Sequence, residues 1–120
     1  MKVSLKSQRL AALFSEVWER LPAADQALLS KRTRLIVDDP VLLPKGQRDI
    51  FSAVLVVGAK RFITIVYLSP CKLPQQEDSF IQYVIALQLA NIFCERLSYS
   101  PNRREAKLLA RQWGFPNPRK

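Results

Sequence analysis

The chain has 120 residues, 48% of them hydrophobic, with 19 Lys+Arg against 10 Asp+Glu, a net charge of +9 and no histidine. That size fits one domain with one core, and the missing imidazole excludes Ser–His and Cys–His catalysis. The charge surplus raises an anionic partner, nucleic acid among them.

Apolar residues at Leu10, Leu13, Phe14, Val17, Trp18 and Leu21 return at helical spacing, so the stretch from Leu5 to Arg20 is expected as a helix. Pro22 is expected in the first turn of a second short helix, AADQALLSKR. RTRLIVDDP then reads as a short strand stopped at Asp38-Asp39-Pro40, because the residue before proline is biased away from helix. Val41 to Asp49 reads as a loop holding Pro44 and Gly46. Two β-branched runs follow, FSAVLVV and RFITIVYL, split by Gly58-Ala59-Lys60 as a hairpin requires. Glu77 and Asp78 sit near the start of a long apolar helix that runs to about Leu97, a placement the helix dipole favours. After Ser100-Pro101-Asn102 a last helix, Arg103 to Trp113, is stopped by Gly114 with Pro116 beyond it.

The order α-α-β-β-β-α-α points to an α+β domain over residues 1–120. Its sheet is expected to be small, three-stranded and mainly antiparallel, with N-terminal helices, a long buried helix and a C-terminal helix around it. Residues 116–120 are expected as a flexible tail. Cys71 and Cys94 give neither a disulfide framework nor metal spacing, and both are expected as reduced core thiols. The start MKVSLKSQRLAALF lacks the unbroken apolar run of a signal peptide. Phe80 to Cys94 is shorter than the roughly 20 residues a membrane span needs. A soluble, cytoplasmic protein with no membrane attachment and no cofactor is therefore expected.

Three segments carry a family resemblance. The strand and loop RFITIVYLSPCKLP, the helix Ile85-Ala86-Leu87-Gln88-Leu89-Ala90-Asn91-Ile92-Phe93, and the last helix through Trp113-Gly114-Phe115 resemble the framework of small gluzincin metallopeptidases, of the zincin class. In that family the long helix carries H-E-x-x-H, two zinc-binding imidazoles one turn apart with a glutamate beside the first. Here Leu87 and Asn91 match the two histidines, and Gln88 matches the glutamate. Aligned on Ala106, the third ligand position falls on Arg103 and the supporting aspartate on Lys107, while Glu105 survives at a place that need not face the metal. Leucine cannot coordinate zinc, arginine repels it, and glutamine cannot accept a proton as a general base. The resemblance thus implies a zincin-like pseudoenzyme: no catalysis, no metal, and a binding or regulatory role.

If Gln88, Asn91, Arg103 and Lys107 converge, a former cation site becomes an anion site. The resemblance also implies a sheet edge at Phe62–Leu68, open to a peptide strand or to a second copy of the chain in a homodimer. The alternative reading is a basic nucleic-acid-associated protein, drawn from Lys31-Arg32, Arg34, Lys60-Arg61, Arg103-Arg104 and the tail. Asp38-Asp39 reads as a turn rather than as acid–base machinery.

Overall fold

Leu10, Leu13, Phe14 and Val17 bury one face of the helix α1 (Gln8–Arg20), as the apolar spacing requires. Ser7 caps it, its Oγ accepting from the Leu10 N–H at 3.3 Å. In this computed structural model residues 1–39, 51–57, 63–95 and 103–119 are described. The expected loop from Val41 to Asp49 and the connection Gly58-Ala59-Lys60 lie outside them, as do residues 96–102 and 120.

Helix α2 (Ala23–Arg32) follows directly, with Pro22 at its N-cap position rather than inside its first turn. Among the described residues four strands form the sheet: β1 (Lys2–Ser4), β2 (Thr33–Val37), β3 (Ser52–Val57) and β4 (Ile63–Leu68), in the order β1-β2-β4-β3. The first two pairings are parallel and only β3–β4 is antiparallel. The expected three-stranded, mainly antiparallel sheet is therefore corrected to a four-stranded mixed one. β1 has just three residues, too few to show a period. Its parallel partner β2 comes after both helices, the kind of crossover that parallel pairing demands.

A second correction concerns the expected edge at Phe62–Leu68. β4 pairs with β2 on one side and β3 on the other, so its main-chain groups are already used inside the sheet. Strand addition there has no free ladder to join. Val66, Tyr67 and Leu68 are buried in succession, the continuous apolar run of an inner strand.

Helix α3 (Asp78–Glu95) is buried on several sides, as its nearly uniform apolar surface requires. It packs on α1, α2, β3 and the last helix, α4 (Arg103–Gln112). Ile81, Ile85 and Leu89 are fully buried between these layers. Among the described residues no helix is long and apolar enough to cross a membrane.

The end of α3 is held by a cation. Arg32 Nη1 donates to the Phe93 carbonyl at 2.9 Å and to the Ile92 carbonyl at 3.5 Å. A guanidinium there donates to carbonyls of the last described turn and answers the negative end of the helix dipole. Arg32→Ala is expected to cost about 1–3 kcal/mol in chemical denaturation; an unchanged midpoint would show that this contact contributes nothing.

α4 ends as its sequence predicts. Gly114 adopts φ +99°, its N–H donates to the Arg111 carbonyl at 3.0 Å, and the Phe115 N–H reaches back to the Ala110 carbonyl at 2.9 Å. This paired closure needs a left-handed residue, which glycine supplies without a Cβ penalty.

Candidate functional site

The positions that the resemblance singles out on α3 lie along one side of the helix, next to the sheet. Gln88 Nε2 donates to the Ser52 Oγ of β3 at 2.6 Å, and Asn91 Nδ2 reaches Gln88 Oε1 at 3.5 Å. Leu87 is half-buried and packs against the core. The position that the resemblance matches to a general base thus holds an amide engaged with a strand hydroxyl. The half-buried amides partner each other and β3, which spares the cost of about 1–3 kcal/mol that an unsatisfied buried polar group carries.

Arg103 opens α4 and Lys107 lies one turn further on, exposed. Lys107 lines a groove of about 680 Å³ together with Arg104, Leu108 and Arg111 of α4, Tyr83 of α3, and Pro116 and Asn117 of the tail. Among the described residues neither Gln88 nor Asn91 lines that groove. Of the expected grouping, Gln88 and Asn91 meet on α3 and Lys107 lines the groove, while the Arg103 side chain lies outside what is described. Lys107 joins Arg104 and Arg111, its neighbours on the exposed face of α4. Tyr83 is nearly buried, and burial raises its hydroxyl above the usual phenol pKa, so it serves the groove as a neutral group.

The far wall is brought in by the tail. Residues 116–119, expected as a loose end, run back toward α3: the Arg119 guanidinium lies 3.7 Å from the centre of the Phe80 ring and donates to Gln76 Oε1. Phe115 is buried and lies under the Arg20 guanidinium at 5.3 Å.

These contacts sort the cations. Arg9 is tied to Asp78 at 2.6 Å and to the Gln76 carbonyl at 2.7 Å. Arg20 and Arg119 cover rings, and Arg32 caps α3. By contrast, Arg104, Lys107 and Arg111 show no ion pair or hydrogen bond among the described residues, and all three are exposed. The stripe on α4 is legible from helical spacing alone. What sequence reasoning missed is that Tyr83 and the tail fold against it and turn a face into a groove.

Two other candidates resolve differently. Asp38 is 4% exposed, and its carboxylate accepts from the Lys6 N–H at 3.0 and 3.1 Å and from the Ser7 N–H at 3.0 Å. It fixes the entry to α1. A smaller hollow of about 370 Å³ lies beside it, lined by Lys6, Ser7, Asp38, Asp39 and Pro70.

The cysteines are both free, but only Cys94 is a core thiol; Cys71 sits exposed in the turn after β4, correcting the expectation that both are buried. Burial, and then the nearby Glu105 charge, push the Cys94 thiol above its ordinary pKa. One thiol, Cys71, is expected to react rapidly with a maleimide in the native state, with Cys94 labelled only after unfolding. Peptide mapping that finds both modified at similar rates would contradict this burial pattern.

Among the described residues no group of three or more Cys, Asp or Glu is placed to hold a metal ion. Comparisons with models of protein families, with curated proteins and with solved structures gave no match.

Proposed function

We propose that this chain is a non-catalytic binding protein, a zincin-like pseudoenzyme in which metal chemistry has been replaced by recognition of an anionic ligand. The single observation that carries the binding half is the groove on α4: three exposed cations, Arg104, Lys107 and Arg111, share it, and among the described residues no acidic side chain lines it. Three such charges side by side repel one another and raise the local concentration of anions. The zincin half rests on the sequence resemblance, and the Gln88–Ser52 bond supports it by giving the vacated base position a structural use. The interior position of β4 weighs against the resemblance at the strand where a free edge is expected. A cytoplasmic setting belongs to the same proposal, supported by two unpaired cysteines of which one is exposed.

The nucleic-acid reading draws on the same surplus of charge but finds less support. Arg32 and Arg119, two of the residues it relies on, are engaged within the fold. Lys60 and Arg61 lie outside the described residues.

Retention on a heparin column at increasing salt tests the binding half. The variant Lys107→Glu/Arg111→Glu is expected to elute early, with the slope of log affinity against log salt reduced by about 2. A control with equal charge change at exposed positions away from α4, Lys2→Glu/Lys31→Glu, is expected to stay near wild type. Equal losses in both variants would mean that net charge, and not the groove, governs binding.

A further inference from the structure

The groove on α4 holds more than charge. Its α4 wall is made by Arg104, Lys107, Leu108 and Arg111, the i, i+3, i+4, i+7 set that forms one continuous helix face. Leu108, at 51% exposed, stands in the middle of this basic stripe. Its neighbour Leu109 is half-buried and packs on the core, so Leu108 is not needed there. Across the groove, Tyr83 and Pro116 present further apolar surface.

Single exposed leucines are ordinary on protein surfaces. This one differs in its setting, with cations at three surrounding positions and an apolar wall opposite. A phosphate backbone would use Arg104, Lys107 and Arg111 but would leave Leu108 in water. A segment with acidic residues around one large apolar side chain would satisfy both.

Resting on the reading of the groove as an anion site, we propose that it takes an acidic peptide segment anchored by a large apolar side chain. The anchor packs against Leu108, Tyr83 and Pro116. Carboxylates on either side of it face Arg104, Lys107 and Arg111. This is the helix-in-groove mode of recognition, with charge choosing the partner and apolar burial holding it. Asn117, at the rim, offers the peptide backbone an amide donor and acceptor.

The test is fluorescence anisotropy on the full chain with three labelled probes. One is a glutamate-rich peptide of about 15 residues, long enough for a few helical turns, with leucines at helical spacing. The second is the same peptide with its leucines replaced by serine. The third is single-stranded oligothymidylate. The leucine peptide is expected to bind wild type at least about tenfold more tightly than the serine peptide, and Leu108→Ser is expected to remove most of that difference. Arg104→Gln/Lys107→Gln/Arg111→Gln is expected to weaken both peptides. Because Leu108 is exposed, Leu108→Ser should keep the wild-type melting temperature, and that is checked in parallel.

Equal affinity for the two peptides, or tighter binding of the oligonucleotide than of either, overturns the peptide assignment and leaves the anion site standing. No binding of any probe, together with no retention on heparin, overturns the anion site itself.

Discussion

Asp38→Ala is expected to lose about 3–5 kcal/mol of folding stability, read as a shift of the chemical denaturation midpoint. The carboxylate is buried at the end of β2, 31 and 32 residues from the N–H groups it receives. Those groups, on Lys6 and Ser7, lie where the chain leaves β1 and enters α1. Alanine would leave both N–H groups without an acceptor, each at about 1–3 kcal/mol, and remove a negative charge from the positive end of α1. The same contact joins β1 to β2 at the point where their parallel ladder stops at Ser4 and Val37. Asp38→Asn, which keeps an oxygen in place of Oδ2, is expected to recover about half of the loss. If alanine costs less than about 1 kcal/mol, the carboxylate is not the tie described here.

Trp113→Ala is expected to be comparably severe, at about 3–5 kcal/mol. The indole is 6% exposed, its Nε1 donates to Asp25 Oδ2 of α2 at 2.9 Å, and its ring meets Phe93 of α3 edge-on at 6.2 Å. One side chain at the end of α4 thus binds that helix to two others. Trp113→Phe separates the parts: the ring contact survives and the donor is lost, for an expected cost of about 1–3 kcal/mol, part of it from leaving Asp25 without its partner. Because α4 carries the basic groove, Trp113→Ala is also expected to weaken heparin retention, whereas Trp113→Phe leaves retention intact. Loss of stability without any loss of retention in the alanine variant would mean that the groove does not depend on the docking of α4.

The helices were largely legible in the sequence because their determinants are local. Leu10, Leu13, Phe14 and Val17 mark the buried face of α1, and Gly114 marks the end of α4 by the conformation that it alone adopts cheaply. The antiparallel pairing of β3 with β4 was legible for the same reason, since a hairpin joins neighbours in the chain.

The parallel pairings were not. β2 meets β4 across a sequence gap of about thirty residues, and nothing in TRLIV names its partner. A signal for the inner position of β4 did exist: IVYL is four consecutive apolar residues, which fits a strand covered on both faces better than an alternating edge.

At the candidate site the outcome is similarly divided. Gln88 and Asn91 stand together as helical spacing requires. Lys107 joins Arg104 and Arg111 in a groove whose other wall is made by Tyr83 and the returning tail. Helical spacing fixes which residues share a face; it does not say which neighbour that face will meet.

The claim that this fold binds anions through α4 is tested most directly by residue-resolved NMR, titrating labelled protein with a short heparin fragment. Shifts are expected to concentrate on Arg104, Lys107, Leu108 and Arg111, with Tyr83 and Asn117 moving alongside them. Shifts centred on the amides of Lys31 and Arg34, or a spectrum that does not change at saturating fragment, would contradict it.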